Sequence, residues 1–420
     1  MKVALLSRAA HPLHPPGGLE RAVFDLARHL QALGVETVLV TRPASAHEPS
    51  AAAGATTGSS APAPASFPGE VVTVPYGSLP GVPHGRVLDR VLFYPPFARR
   101  VGEVTARLVR EGKADLVHAQ GLTALGYARE RQGDSALRAP LVMNPQGMEE
   151  HKAEGLKGFA LSRLRALSRE AAALSDRVIA TDESTRAEVH ALLGVAPSRI
   201  VVLPNGLDLQ AVRDATPRDP RALLSASLGP AVADADLVFL SVGRLEAYKG
   251  VLDTLGALRT LHAQSALPPS WVFVIVGEGP LARAVDAAAE PLRPHVVRTG
   301  RASEALLHAL YEQADVFVHA THYEGSSLVT LEAMAHARPV VATRAGGLRD
   351  KVVPGETGWL VEPGDGTALA EALRASAHDA ARRARYGRAG LELLSTRFLW
   401  AVIAKQTVRL YDALLAGQAA

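Results

Sequence analysis

The chain contains no cysteine among its 420 residues. This absence excludes disulfide bonds, thiolate metal sites and a cysteine nucleophile. No stretch approaches the roughly 20 apolar residues that are needed to span a bilayer. The apolar stretch within residues 1–8 is also too short for a signal peptide. We therefore expect a cytoplasmic protein without a membrane-spanning segment.

The chain also lacks a large excess of positive or negative charge. The chain has 45 Lys and Arg against 42 Asp and Glu, which gives a net charge of +3 and a pI near 9.2. This mildly basic balance suits anionic small substrates or lipid surfaces, but it is too weak to predict a nucleic-acid partner. The apolar fraction of 48% is typical of a globular protein, and 420 residues exceed what one core usually holds, so two or three domains are expected.

Short β-branched runs alternate with Ala- and Leu-rich stretches, a pattern that predicts an α/β fold with doubly wound domains. The predicted strands are 3–7, 36–40, 71–74, 115–118, 141–144, 177–180, 200–203, 237–242, 272–276, 296–299, 316–319, 340–343 and 359–361. A domain boundary is expected after the turn cluster at 204–208, before a polar stretch at about 214–220. Residues 43–69, which are almost entirely Ala, Pro, Ser, Gly and Thr, predict a mobile loop.

Two carboxylates, Glu324 and Glu332, lie eight positions apart with a Gly-Ser-Ser turn and a helix start between them. Ser326 or Ser327 is expected to cap the helix, whose free N–H groups and positive dipole end suit a phosphate. Glu332 would lie roughly 7 Å further along the axis, a nucleoside's reach from that phosphate.

The predicted strands 314–319 and 338–343 flank this helix, so both carboxylates lie at the carboxyl end of a strand in a βαβ unit. Ligands of open α/β sheets bind there. The alternative is that both are ordinary surface carboxylates.

Two cations, Arg244 and Lys249, follow another predicted strand at its carboxyl edge. Two cations beside a helix start suit a diphosphate because each can donate charge-assisted hydrogen bonds. The alternative is a solvated basic loop.

Polar or small residues follow two strands in the first half. Gly17 and Gly18 open a helix after the first strand, where they would allow close approach of a ligand phosphate or simply form a turn. His118 and Gln120 end a later strand and point polar groups at the same crevice, although a lone His there is usually a satisfied buried ring.

Together these motifs resemble glycosyltransferase family 4, the retaining, metal-independent enzymes of the GT-B fold. The resemblance covers almost the whole chain in the family's order. The motifs are Gly17-Gly18, 115–118, 204–208, 242–245 with Lys249-Gly250, 276–280, and Glu324 to Glu332 running into 333–335 and 339–343.

The resemblance implies two Rossmann-like domains with an interdomain cleft. Residues 1–211 would bind the acceptor, 212–394 would bind the nucleotide-sugar, and 395–420 would form a helix that crosses back to the first domain. The donor would be a UDP- or GDP-sugar of the hexose type, and the acceptor a glycan, lipid or small molecule. No cofactor and no metal are expected.

The resemblance also implies residue roles. Glu332 would bind the ribose and Glu324 the donor sugar, while Arg244 and Lys249 would hold the diphosphate and stabilise its developing charge; these last three residues are the expected catalytic groups. The remaining expected donor contacts are Gly17, Gly18, Asn205, the backbone of Gly300, Arg301 and Ala302, and the N–H groups of Gly325, Ser326, Ser327 and Leu328. In a same-face substitution the departing phosphate oxygen can take the acceptor's proton, so no side chain must be the nucleophile.

The chain departs from the family pattern at two positions. Many relatives have a second His where this chain has Gln120, which can donate a hydrogen bond but cannot carry a proton. The sugar or acceptor contact is therefore expected from His118 or Gln120 without a decision between them. Ala337 stands where Gly is common.

Three other interpretations remain. Gly277-Glu-Gly-Pro280 imitates a dinucleotide fingerprint, but Pro280 lacks the N–H that a phosphate cradle uses and no acidic residue ends the next strand. Asp234-Ala-Asp236 resembles a metal-binding Asp-x-Asp motif, but it precedes a strand and fits a polar turn. The strongest rival is a nucleotide-sugar epimerase or a non-catalytic sugar-nucleotide-binding protein of the same fold.

Two segments, 85–100 and 157–169, combine apolar residues with basic ones. They suit helices that lie on anionic lipid, and so predict peripheral contact with the inner membrane face. A core-facing helix with a solvated basic side is the alternative.

Overall fold

We describe the protein from a computed structural model, which describes residues 1–15, 17–44, 66–77, 87–146, 148–153 and 155–417. The chain forms two compact units, one of Met1–Asn205 with Trp400–Ala420 and the other of Gly206–Leu399. Most of the predicted mobile loop at 43–69 lies outside the described residues.

The first unit is built on a parallel sheet of seven strands in the order β3-β2-β1-β4-β5-β6-β7. Its strands are β1 (Lys2–Leu6), β2 (Glu36–Thr41), β3 (Glu70–Thr73), β4 (Leu116–Gln120), β5 (Leu141–Asn144), β6 (Arg177–Ala180) and β7 (Ile200–Val202). Its helices are α1 (Gly18–Ala32), α2 (Val87–Arg110), α3 (Thr123–Gly133), α4 (Glu149–Lys152), α5 (Gly155–Ala160), α6 (Ser162–Leu174) and α7 (Glu183–Leu193). Separate apolar clusters pack on the two faces of the sheet, as a parallel sheet requires.

The second unit has a parallel sheet of six strands in the order β10-β9-β8-β11-β12-β13. Its strands are β8 (Leu237–Val242), β9 (Trp271–Val276), β10 (Val296–Gly300), β11 (Val316–His319), β12 (Val340–Thr343) and β13 (Gly358–Val361). Its helices are α8 (Leu209–Ala215), α9 (Pro220–Leu228), α10 (Pro230–Ala233), α11 (Val251–Ala263), α12 (Ala282–Ala289), α13 (Glu304–Gln313), α14 (Leu328–Ala335), α15 (Gly366–His378) and α16 (Ala380–Leu393).

The predicted fold class is confirmed, since both sheets are doubly wound and parallel. Every predicted strand forms, and no end is shifted by more than two residues. β4 extends to Gln120, so His118 lies inside the strand and not at its end.

The second unit begins at Gly206, before the predicted boundary at 211/212. It ends at Leu399, after the predicted boundary at 394/395. Leu207 forms a β-bridge with Leu399, and its N–H donates to the carbonyl of Phe398 at 2.8 Å, so the two ends of this unit are joined to each other. The polar stretch expected as a linker is also partly helical. Asp208 caps α8 by accepting from Gln210 N–H at 2.8 Å.

The last helix, α17 (Trp400–Leu415), belongs to the first unit and packs on α1. Ile403, Leu410 and Tyr411 are buried there in the cluster that also contains residues of α1 and β1. No helix among the described residues has both the length and the apolar character to cross a membrane.

Ala337 adopts a left-handed conformation with φ of 53° just after α14. This conformation costs a non-glycine residue about 1–2 kcal/mol, and the position after a helix end is where glycine is preferred. We expect Ala337→Gly to raise the free energy of unfolding by about 1 kcal/mol, after allowance for the greater freedom of glycine in the unfolded chain. Urea unfolding measures this change.

Ala335→Gly is the matched control, because Ala335 is the last helical residue of α14. Glycine there should destabilise by about 0.5–1 kcal/mol. Equal destabilisation by both substitutions would contradict the strain at Ala337.

Candidate functional site

The strand order of the second unit reverses between β8 and β11. Loops that leave these two strands at their carboxyl ends run to opposite faces of the sheet, which opens a crevice where ligands of α/β sheets bind. The segment 243–250 follows β8 and the segment 320–327 follows β11, so the predicted cations and Glu324 lie at this switch point.

Gly250 brings the first of these segments against the second. Its φ is 65°, and a Cβ there would collide with the carbonyl oxygen of Ala320. The carbonyl of Tyr248 also accepts from Thr321 Oγ1 at 2.8 Å and from His322 N–H at 2.7 Å. Lys249 is thereby held beside the loop that follows β11.

Glu324 is the centre of the site. Its Oε2 accepts from Lys249 Nζ at 2.8 Å and lies 2.6 Å from His319 Nε2, while Oε1 lies 3.2 Å from the N–H of Gly325. Behind it, Gly346 has a φ of 48°, and a Cβ there would collide with the carbonyl oxygen of Glu324. The hydrogen bonds thus fix the carboxylate of Glu324, and the close approach of Gly346 fixes its backbone.

Burial by itself raises the pKa of Glu324, but the hydrogen bond and charge of His319 and the charge of Lys249 outweigh it and lower the pKa to about 2. The side chain is only 12% exposed. Glu324 is therefore a carboxylate at neutral pH, which suits acceptance of hydrogen bonds and not donation of a proton.

The helix start behind Glu324 lacks the side-chain cap that we predicted. Ser327 occupies the N-cap position of α14, but its Oγ lies 2.9 Å from Thr330 Oγ1 and makes no capping hydrogen bond. Ser326 Oγ is buried and has no hydrogen-bond partner among the described residues. The first N–H groups of α14 are therefore without the side-chain cap that usually satisfies one of them.

Glu332 lies on α14 and is held by Tyr311 from the neighbouring helix α13. The Tyr311 hydroxyl donates to Glu332 Oε2 at 2.9 Å. Burial and the negative charge of Glu332 raise the pKa of Tyr311 well above its usual value, so the phenol keeps its proton and remains a donor. Tyr311 is itself stacked on His336 at 5.6 Å between ring centroids.

Arg244 does not join Lys249 in this structure. Its guanidinium pairs with Glu246 at 2.9 Å and is 74% exposed, whereas Lys249 is 18% exposed and pairs with Glu324. The two cations were predicted to act together because both follow β8. The turn at 247–249 separates them, since it directs Lys249 toward the sheet and leaves Arg244 in solvent.

Gly300 ends β10, the edge strand of the sheet, and Arg301 and Ala302 follow it. The Gly300 carbonyl accepts from Gly277 N–H at 2.8 Å, which joins this segment to the loop after β9. Arg301 is exposed.

The two competing motifs have structural explanations. In the loop 277–280, the carbonyl of Glu278 accepts from Leu245 N–H at 3.0 Å, so this loop packs against the segment after β8. Asp234 pairs with Arg221 at 2.6 Å in the turn between α10 and β8, as expected of a polar turn.

In the first unit, His118 is a buried ring whose hydrogen bonding is met inside the protein. Its Nδ1 lies 2.6 Å from the hydroxyl of Tyr411 on α17. Burial lowers the pKa of His118 to about 4, so the ring is neutral. Gln120 contacts the other ring nitrogen at 3.4 Å and accepts from Gln146 Nε2 at 2.7 Å. The buried-ring alternative thus fits His118, and the sugar or acceptor contact stays a prediction for Gln120.

The other donor contacts predicted in this unit are Gly17, Gly18 and Asn205. Gly17 is the N-cap of α1, and Gly18 is the first residue of this helix. A Cβ at Gly17 would collide with the carboxylate of Glu20, so this carboxylate lies against the helix start. Asn205 ends the first unit and lines a cavity of about 20 Å³ with Gln120. A space of that size accommodates about one water molecule.

Sequence reasoning missed His319 and Tyr311. His319 ends the otherwise apolar strand β11, and this single polar residue at a carboxyl end is the signal that could have identified it. Tyr311 gave no such signal, because its contact with Glu332 crosses from one helix to another.

A doubly wound unit with a fixed carboxylate, a partly buried lysine and an uncapped helix start at its switch point is typical of proteins that bind nucleotides or sugar phosphates. Two family profiles match the chain, one described as Glycosyltransferase Family 4 over residues 16–211 and one as Glycosyl transferases group 1 over residues 236–379. The D-inositol 3-phosphate glycosyltransferase 2 of Catenulispora acidiphila is 30% identical over 98% of this chain and 94% of that protein. The chain belongs to glycosyltransferase family 4, a family of transferases.

Other similar proteins differ in what their names say they act on. A glycogen synthase of Mycobacterium tuberculosis is 33% identical over 66% of this chain and 64% of its own length, so the chain spans less than two thirds of that relative. The Anabaena protein HepE, solved in complex with UDP-glucose, covers 98% of this chain and 100% of its own with a TM-score of 0.68 and 20% identity. This likeness confirms the GT-B fold class.

The lowered pKa of Glu324 predicts a pH-dependent stability. A carboxyl group whose folded pKa is depressed stabilises the fold above its unfolded pKa, near 4.5, and loses that contribution as the pH falls toward about 2. We expect Glu324→Gln to cost about 3 kcal/mol of unfolding free energy at pH 7, with the difference from the unsubstituted chain narrowing between pH 5 and pH 3. Urea unfolding at several pH values measures it.

The exposed Glu356→Gln is the control and should change stability little at any of these pH values. A difference between the Glu324→Gln variant and the unsubstituted chain that stays constant from pH 7 to pH 3 would contradict the proposed ionisation of Glu324.

Proposed function

We propose that the chain is a retaining, metal-independent glycosyltransferase that moves a hexose-type sugar from a nucleotide-diphosphate sugar to an acceptor. The observation that carries this proposal is the contact of Lys249 with Glu324 beside the uncapped start of α14. A cation, a carboxylate and free helix N–H groups are the groups that a sugar linked to a diphosphate would require.

The donor would lie along α14. The N–H groups of Gly325 to Leu328 and the buried hydroxyl of Ser326 would contact phosphate or sugar, with Glu324 accepting from sugar hydroxyls. Glu332 is the fifth residue of α14, just over one turn from the helix start, and Tyr311 holds its carboxylate where ribose hydroxyls could donate to it. HepE was solved with UDP-glucose, which supports a donor of this class.

Turnover would depend on stabilising charge and not on a protein nucleophile. Negative charge develops on the diphosphate as the glycosidic bond breaks, and Lys249 is the partly buried cation placed to stabilise it. Arg244 would add to this only by leaving Glu246, which its exposure permits. The acceptor oxygen would attack the anomeric carbon from the face that the diphosphate leaves, and the departing phosphate oxygen would accept the acceptor's proton. The sugar would therefore keep its anomeric configuration without a metal ion.

The rival is an epimerase or a non-catalytic binder of the same fold. Both would use the same nucleotide-sugar contacts, so the site alone does not separate them from a transferase. The relatives named as a glycogen synthase and as an inositol-phosphate glycosyltransferase favour transfer. They also point to two acceptor classes, a neutral glucan and a phosphorylated cyclitol.

The donor is tested by the thermal stability of the full chain with a panel of UDP-, GDP- and ADP-sugars. A ligand present at a hundred times its Kd stabilises by about 2.7 kcal/mol, which a thermal-shift measurement detects. The responding donor is then incubated with acceptors, and release of the nucleotide diphosphate is measured with and without EDTA. Anomeric configuration of the product is determined by NMR.

Lys249→Met is expected to lower kcat by about a hundredfold with the responding donor, the scale seen when one preorganised donor group is removed. Lys405→Met, on the exposed side of α17, is the matched control and should leave kcat unchanged. Epimerised nucleotide-sugar as the product, inversion at the anomeric carbon, or loss of turnover in EDTA would each overturn the corresponding part of the proposal.

We further propose that the first unit contacts an anionic membrane surface in a peripheral manner. Leu156 and Phe159 of α5 are 91% and 81% exposed, and Lys157 between them and Arg163 of α6 are exposed as well. Leu92 of α2, the helix on which α5 packs, is 46% exposed. Apolar side chains beside basic ones match the boundary between acyl chains and anionic headgroups.

Co-sedimentation with phosphatidylglycerol-containing liposomes tests this surface. We expect binding that weakens as salt rises, because the basic residues are exposed to screening. Replacing Leu156 and Phe159 with Ser should reduce binding at all salt concentrations, whereas replacing exposed Leu33 of the loop after α1 should not. Equal sedimentation with uncharged liposomes would rule out the electrostatic contribution.

A further inference from the structure

His319 ends β11, which lies between β8 and β12 in the middle of the second unit's sheet. Its side chain is only 2% exposed. The ring stacks on that of Phe317, two residues earlier on the same face of the strand, with 6.0 Å between the ring centroids. A buried polar ring needs a hydrogen-bond partner inside the protein. The group that His319 contacts therefore indicates what this ring does.

Within the described part of the chain, the ring of His319 makes one hydrogen bond, from Nε2 to Glu324 Oε2 at 2.6 Å. A carboxylate oxygen only accepts, so Nε2 carries a proton. The same oxygen also accepts from Lys249 Nζ at 2.8 Å. One oxygen of Glu324 thus takes two donors, and the histidine donates the shorter of the two hydrogen bonds.

Lys249 has hydrogen-bonding capacity beyond its contact with Glu324. An ammonium group has three N–H donors, and the Nζ of Lys249 hydrogen-bonds to Glu324 alone among the residues that the structure describes. Nζ also lies 5.4 Å from the centroid of the Tyr248 ring, whose face attracts a cation without taking a conventional hydrogen bond. Lys249 can therefore offer N–H groups to a ligand anion while it stays beside Glu324.

The carboxylate of Glu324 limits this use of Lys249. Glu324 is a largely buried anion, and an anion in such a place requires strong compensation from its neighbours. With Lys249 as its one strong partner, Glu324 would compete with a ligand phosphate for the same ammonium group. A second donor on Oε2 takes over part of the compensation, because hydrogen bonds to a charged group are strong. The hydrogen bond from His319 therefore makes Glu324 less dependent on Lys249.

We propose that His319 is a positioning residue for the donor diphosphate: it holds the Glu324 carboxylate, so that Lys249 can direct its remaining N–H groups to the phosphate oxygens. This inference rests on the proposed function and adds a residue to its donor site. The alternative is that His319 only packs on Phe317 and contributes to the fold. The two explanations differ in whether the effect of His319 depends on the charge of Glu324.

The test measures the Kd of the full chain for UDP, GDP and ADP by titration calorimetry. These nucleotides carry no donor sugar, so their Kd reports the diphosphate contact without the sugar contact that is proposed for Glu324. His319→Phe keeps a ring against Phe317 but removes the N–H donor. We expect it to raise the Kd of the nucleotide that binds by about tenfold or more, the scale of one hydrogen bond to a charged group.

His319→Gln is the conservative variant, because its amide N–H can reach the place of Nε2. It should retain most of the affinity that His319→Phe loses. Equal weakening by the two substitutions would contradict a role for the N–H donor. If His319→Phe does not fold, His319→Asn takes its place, since the amide of Asn ends short of the Nε2 position.

Glu324→Gln separates the two explanations, because it removes the charge that His319 is proposed to hold. In this background His319→Phe should change the Kd by about twofold or less, since residues that act as one unit have non-additive effects. An equal rise of the Kd in both backgrounds would overturn the proposal. His295→Phe is the matched control. It removes a hydrogen bond to the Trp271 carbonyl just before β10, at the opposite edge of the sheet, and should leave the Kd unchanged.

Urea unfolding separates this inference from the proposed function, because it requires no ligand. His319→Phe should lower the urea midpoint more in the chain with Glu324 than in the Glu324→Gln variant, since only the buried carboxylate depends on the lost donor. If no nucleotide binds while this difference is found, the proposed donor fails and the hold of His319 on Glu324 stands. If a nucleotide binds the unsubstituted chain and the His319→Phe variant with the same Kd, the inference about His319 fails and the donor site stands.

Discussion

The carboxylate of Glu324 is the constraint on which the candidate donor site depends. Its Oε2 is shared by Lys249, which follows β8, and by His319, which ends β11. Removing Lys249 or Glu324 would leave the other without its ion-pair partner, a costly state for a largely buried charge. Such a network keeps a cation and an anion in place before a ligand arrives, so little reorganisation is required when charge develops on a phosphate.

The same topological rule operates once in each unit. In the second unit the loops after β8 and β11 assemble a site with a partly buried lysine and an open helix start, while in the first unit the ends of β1 and β4 border a cavity of about 310 Å³.

The strands and the fold class could be predicted from the sequence, because a β-branched run buried on both faces has a local pattern. Glu324 and Lys249 could also be singled out, since each follows a strand, and Glu332 by its spacing from the start of α14. The sequence could not show whether Lys249 and Arg244 lie together at the site. Both follow β8, yet the turn at 247–249 sends one side chain toward the sheet and leaves the other in solvent. His118 likewise has the position of a ligand-binding residue, and only the packing of α17 places Tyr411 against its ring.

By itself the sequence determined two doubly wound units and the segments that border their switch points, because strand periodicity, glycine positions and helix starts are local properties of the chain. Tertiary structure decided which side chains meet there. Lys249, His319 and Glu324 are separated by up to 75 residues, and their contact depends on the close approach of Gly250 to Ala320. The wall of the first unit's cavity was decided in the same way, since Arg8, Gln120 and Gln146 come from separate elements that only the folded sheet brings together.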